Sequence, residues 1–161
     1  MIVPLLLAVD FMNFNYTDIP CSSNVPPPAQ IRKGTYSYFD QNMGTGFEVF
    51  VDSVKQGSLR AGTQQAVVVL TCQFPMGGTA GAYAYDVRGD TAVLLGKVGT
   101  ADWGGDWGAG PKSIHIRFAK RFLYVDSCKD SHCEMSEVRT YALRGGKLVK
   151  VYVQTHKTRT T

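Results

Sequence analysis

The sequence predicts an all-β domain of about nine strands, joined largely by hairpins into a sandwich or barrel-like sheet and stapled by disulfides. Three observations predict it. No stretch longer than about ten residues carries the apolar period of a helix. Short runs, alternating or rich in β-branched and aromatic residues, recur between Gly, Pro, Asn and Asp turns along all 161 residues. The four cysteines, Cys21, Cys72, Cys128 and Cys133, are an even number that can close two bridges. This length suits one domain with a substantial core. The expected organisation is an apolar arm or signal remnant at 1–9, a single β domain at 10–155 and a basic tail at 156–161.

Residues 64–98 are the centre of this plan. Residues 66–72, AVVVLTC, are almost unbroken apolar, too short for a typical helix, and followed by Pro75 and the Gly77-Gly78 pair, so they read as a buried strand. Residues 82–87 alternate Tyr83 and Tyr85 with smaller residues, and Arg88-Gly89-Asp90 makes a tight turn. Residues 91–98 return as a partner strand whose Leu94 and Leu95 join the core.

The elements before this centre follow in order. Residues 1–9, MIVPLLLAV, are too short to span a bilayer and lack the positive flank of a signal peptide. They are expected either to be a signal remnant or to pack as a strand, on the body or on another subunit through Ile2, Val3, Leu5, Leu6, Leu7 and Val9. Phe11, Phe14 and Tyr16 supply aromatic anchors, and Asn15-Tyr16-Thr17 fits the N-glycosylation pattern, which counts only in a secreted eukaryotic chain. Residues 20–28, PCSSNVPPP, predict an extended, polyproline-like crossing over the surface. Residues 34–39 read as a half-exposed strand. After a turn, residues 47–54 place Phe47, Val49 and Val51 on one face and Glu48, Phe50 and Asp52 on the other. Residues 55–63 are a polar, glycine-punctuated loop.

After the centre, residues 99–111, GTADWGGDWGAGP, are the least regular part and carry both tryptophans, Trp103 and Trp107. Residues 112–118 alternate, and residues 121–126 return after a tight Ala119-Lys120 turn. Residues 137–143 and 147–154 are a terminal hairpin around Arg144-Gly145-Gly146, with Val149, Val151 and Val153 in strict alternation.

The four cysteines permit three pairings. The expected one joins Cys128 to Cys133 locally and ties Cys21, in the N-terminal segment, to Cys72 in the central strand. Such bridges place the chain outside the cell, at its surface or in a periplasm; the alternative is four reduced thiols in a cytosolic protein. The net charge is +4, much of it in Lys147, Lys150, Lys157 and Arg159. A solvated tail accounts for it, and no Lys/Arg cluster interleaved with aromatics suggests nucleic acid. The partner expected is a protein or glycan, or a second copy of the chain. Contact with a membrane is expected only through a signal or lipid anchor.

Asn13-Phe14-Asn15-Tyr16, then Cys21, the strand 66–72 and the Tyr83–Tyr85 hairpin together resemble the LppP/LprE-type lipoprotein domain of actinobacteria, over residues 11–98. That resemblance implies an envelope or extracellular location and a Cys21–Cys72 link, and implies no activity. Members of that kind often carry an acidic, glycine-bearing loop just before the corresponding strand. Here the matching residues 52–65 hold only Asp52, too few carboxylates for a calcium site.

Chemistry is weighed on three clusters. Cys128, His132 and Cys133, near Asp126, Asp130 and Glu134, could suggest a metal, but zinc takes two separated ligand pairs and only one is present. A disulfide is the expectation, with no metal and no cofactor. A cysteine nucleophile needs a histidine base. His115 lies on the polar phase of its strand and His156 in the expected tail, and no G-x-S-x-G elbow or phosphate loop occurs. The third cluster, Asp102, Trp103, Asp106 and Trp107, is either a loop that stacks on sugars or grips a partner, or a pair of indoles capping the open end of a sheet. Asp102 and Asp106 as a glycosidase pair lack supporting cleft residues.

The sequence therefore predicts a secreted or cell-envelope domain that binds or recognises without catalysis. The alternatives are a self-assembling subunit that uses the apolar arm for β-addition to its neighbour, and a small hydrolase.

Overall fold

The computed structural model describes residues 9–104, 107–108 (backbone), 110–129 and 132–157. Ile2, Val3, Leu5, Leu6, Leu7, Asp106, Asp130 and Arg159 lie outside the described residues. Twelve strands are present among the described residues: β1 (Asn15–Tyr16), β2 (Ala29–Gln30), β3 (Thr35–Asp40), β4 (Thr45–Gly57), β5 (Gln64–Phe74), β6 (Gly77–Arg88), β7 (Thr91–Gly104), β8 (Trp107–Gly108), β9 (His115–Ala119), β10 (Phe122–Cys128), β11 (Met135–Arg144) and β12 (Lys147–Lys157). Single 3-10 turns sit at Phe11–Asn13 and Pro111–Ser113, and no α-helix occurs among the described residues. The three two-residue strands, β1, β2 and β8, are too short to carry a pattern. The remaining nine are the nine that the sequence predicts.

The strands form three antiparallel sheets: β1-β2, a six-stranded β3-β4-β5-β6-β7-β8 meander, and a four-stranded β12-β11-β10-β9 meander. The six-stranded sheet is the middle layer. On one face Ala66, Val68, Leu70, Cys72, Tyr83 and Tyr85 meet the N-terminal segment, through Val9, Phe11, Tyr16, Ile19, Val25 and Ile31. On the other, Val67, Val69, Ala80, Ala82 and Ala84 meet Leu123, Val125 and Tyr141 of the four-stranded sheet. β5 is thus covered on both sides, which is why its sequence is continuously apolar instead of alternating. Each of its buried Val and Leu side chains contributes about 1.5–3 kcal/mol by leaving water.

The N-terminal segment is bound to this sheet covalently and by its aromatics. Cys21 and Cys72 form a disulfide across 51 residues of sequence. The Phe11, Phe14, Tyr16 and Tyr85 rings cluster with centroids 5.0 to 6.3 Å apart. The Tyr16 hydroxyl donates to the Phe11 carbonyl at 2.7 Å. Val9, expected in the arm, is buried in this core.

Several local expectations are corrected. Residues 20–28 are not an extended crossing. The chain turns at Cys21, whose carbonyl accepts from the amides of Asn24 and Val25 at 2.9 Å, because the disulfide holds Cys21 on the buried face and the chain must fold back. The Pro27-Pro28 bond is cis. Gly77 and Gly78 do not end a strand but begin β6, with Gly78 opposite Trp103. Residues 99–104, expected to be irregular, continue β7. The tight turn after β9 is Lys120-Arg121, with φ of 49° and 65°, and the last hairpin turns on Gly145-Gly146, with φ of 56° and 74°. Two consecutive left-handed residues match the twist of the flanking strands. His156 and Lys157 belong to β12, paired with Ser136 and Met135, and not to a tail. A bulge at Thr140/Tyr141 shifts the β12 register, so the regular alternation of Val149, Val151 and Val153 does not bury one face.

Candidate functional site

The site lies at the end of the six-stranded sheet where β5 turns into β6. Register there is continuous across all six strands: Ser37 pairs with Glu48, Glu48 with Gln73, Gln73 with Gly78, Gly78 with Trp103 and Trp103 with Gly108. Directly paired antiparallel residues point to one face, at strand spacings of about 4.8 Å. Ser37, Glu48 and Gln73 are exposed on that face. Two pairs further along β3 and β4, and so on the same face, the Phe39 ring lies over Gly46 and is 61% exposed. These side chains, with Phe74, line an open groove of about 600 Å³. A hydroxyl, a carboxylate and a carboxamide thus stand in a line beside an open aromatic ring.

A second groove, of about 390 Å³, opens on the opposite side of the Phe74-Pro75-Met76 turn. Asn24, Thr79, Asp102, Phe74 and Met76 contribute to its walls, and Met76 is 82% exposed. Asp102 pairs with Thr79, on the phase of β6 that holds Tyr83 and Tyr85, so it faces the N-terminal segment. Trp103 has the opposite phase and packs with the second core. A methyl placed on Gly78 would come within 2.3 Å of the Trp103 ring, so the indole covers that glycine closely. Asp102 and Trp103 thus both line this groove, although their side chains leave β7 on opposite faces. Trp107 pairs through its backbone with Gly104.

Elsewhere the cysteines are consumed as expected, in Cys21–Cys72 and Cys128–Cys133. The second bridge removes the thiolates that a metal set with His132 would need. Among the described residues no three His, Cys, Asp or Glu gather into a metal-holding group. His115 is exposed on β9 opposite Asp126, in a different sheet from Asp102. Burial pushes the hydroxyls of Tyr16, Tyr83 and Tyr85 well above the ordinary tyrosine range, and the Asp18 charge raises Tyr83 and Tyr85 further. These rings belong to the core and do not open to either groove.

Ser37, Phe39, Glu48 and Gln73 were not singled out from the sequence as site residues. Their only sequence signal is that Glu48 occupies the polar phase of its strand and Phe39 an aromatic-rich one; the register that aligns them is a property of the folded sheet. Compared with protein-family models, with curated proteins and with solved structures, the chain matches none.

Proposed function

We propose that this chain is a secreted or envelope-exposed domain that binds without catalysis, and that its ligand is a glycan chain lying in the groove of Ser37, Phe39, Glu48 and Gln73. The observation that carries this reading is the in-register polar row beside the exposed Phe39 ring. A sugar offers an apolar C–H face and a rim of hydroxyls. An open aromatic ring suits the first, and carboxylate and carboxamide groups, which accept and donate in a plane, suit the second. The strand spacing of about 4.8 Å is comparable with the advance of one pyranose along an extended glycan, so successive rings can meet successive strands. The two disulfides mark an oxidising compartment. The resemblance to LppP/LprE-type lipoprotein domains supports the envelope as that compartment.

The test is calorimetric titration of the full chain with cellohexaose, chitohexaose and mannohexaose. Saturable binding to at least one is expected, weakened at least tenfold by Phe39→Ala and by Glu48→Gln, with the melting temperature unchanged. Absence of binding to all three, or binding that survives both substitutions, defeats the reading. The self-assembling alternative, which would leave residues 2–8 as the joint because Val9 is buried in the chain's own core, draws on one observation, the open edge of β12.

A further inference from the structure

We infer that the open edge of β12 is a docking strand for an extended, acidic segment of another protein. β12 is the last strand of its sheet and, among the described residues, pairs only with β11, through ten of its 11 residues, Val151 being passed over at the bulge. An edge of that length leaves every second backbone N–H and C=O free to extend the ladder. From Lys150 to Lys157 every residue is exposed, and in the middle Val151, Tyr152 (60%) and Val153 present apolar surface to solvent. An incoming strand would therefore find both backbone partners and side-chain cover.

Charge selects the occupant. β12 carries Lys147, Lys150, His156 and Lys157 and no acid, and no Asp or Glu follows Glu137 in the sequence. Of the nearest carboxylates on the sheet, Glu137 accepts from Arg139 at 2.5 Å, and Asp126 lies 3.7 Å from His156. A second β12, paired antiparallel about Tyr152, would set Lys147 against Lys157 at both ends, and like charges directly opposite destabilise a ladder. The lysines thus discourage self-pairing, the usual device for guarding an edge. They are complementary to a strand with Glu or Asp at alternate positions. Residues 1–9 of another copy are a poorer match, since the first acid in the chain is Asp10.

The experiment is a nuclear magnetic resonance titration of the isotope-labelled full chain with a capped synthetic peptide alternating glutamate with threonine around a central valine. A second peptide carries lysine in place of glutamate. Shifts confined to β11 and β12, slowed hydrogen exchange of β12 amides, and affinity that drops at least tenfold in Lys150→Glu/Lys157→Glu are expected. Raising the salt should weaken binding to the unaltered chain, an independent readout should that variant fold poorly. No shifts with the acidic peptide, equal binding of the lysine peptide, or shifts centred elsewhere overturn the proposal. So does β12 protection in a peptide-free oligomer, which would assign the edge to a second copy.

Discussion

Removing the Cys21–Cys72 bridge by the paired change Cys21→Ala/Cys72→Ala should cost far more stability than removing Cys128–Cys133 in the same way. The two bridges close loops of very different length, 51 and 5 residues. By the chain-entropy relation these restrict the unfolded state by about 4 and about 2 kcal/mol, respectively. For a chain of this size the losses correspond to falls in Tm of about 8–16 °C and about 4–8 °C. The structure adds to the difference. Cys21 and Cys72 lie in the core that joins the N-terminal segment to β5, so the first variant also loosens the seating of Ile19 and Val25. Urea unfolding followed by circular dichroism and tyrosine fluorescence gives both midpoints and slopes. Equal losses, or a larger one for the short loop, would refute the view that the long bridge is what closes the N-terminal layer onto the sheet.

Other expectations are equally specific. Gln65 is buried, accepts from the Leu59 amide at 2.8 Å and donates to Asp86 at 2.9 Å; Gln65→Leu should cost about 1–3 kcal/mol in urea unfolding by stranding both partners. Arg88→Ala, which removes a largely exposed partner of Asp86, should cost less than about 1 kcal/mol in the same assay. Gly78→Ala places a methyl 2.3 Å from the Trp103 ring and 2.8 Å from the Cys72 carbonyl, so a loss of about 1–3 kcal/mol and a shifted Trp103 emission in a Trp107→Phe background are expected. The raised Tyr16, Tyr83 and Tyr85 hydroxyls predict alkaline sensitivity. Below about pH 10 both states keep these protons; above it the unfolded chain releases them first, so stability should fall as pH rises. Ultraviolet titration should then show these three tyrosines ionising only as the fold is lost.

Much of the fold was legible because burial writes directly into composition. Residues 66–72 have no polar phase, since both faces of β5 are covered. Tyr83 and Tyr85 alternate with alanines because one face of β6 meets the aromatic N-terminal cluster and the other closely approaches the second sheet. What was not legible depends on contacts distant in sequence. Gly77-Gly78 has the look of a turn until Trp103 is known to lie over it. The terminal valines have the look of a buried face until the bulge beside Tyr141 shifts their phase.

The candidate site was hidden for the same reason, and its position bears on the binding proposed for it. Ser37, Glu48 and Gln73 come from three strands, and a slip of one residue in either pairing would turn one of them to the opposite face. Cys72 and Gln73 are adjacent in β5 and therefore point in opposite directions, Cys72 to the bridge with Cys21 and Gln73 to the open groove. The bond that fastens the N-terminal layer on one face thus holds the floor of the groove on the other. Side chains set on a strand fixed from behind need little rearrangement to meet a ligand, the condition under which a few hydrogen bonds and one ring can bind usefully. The Cys21→Ala/Cys72→Ala variant should consequently weaken glycan binding even at temperatures where it remains folded, whereas the Cys128→Ala/Cys133→Ala variant, altered on the other sheet, should bind as the unaltered chain does.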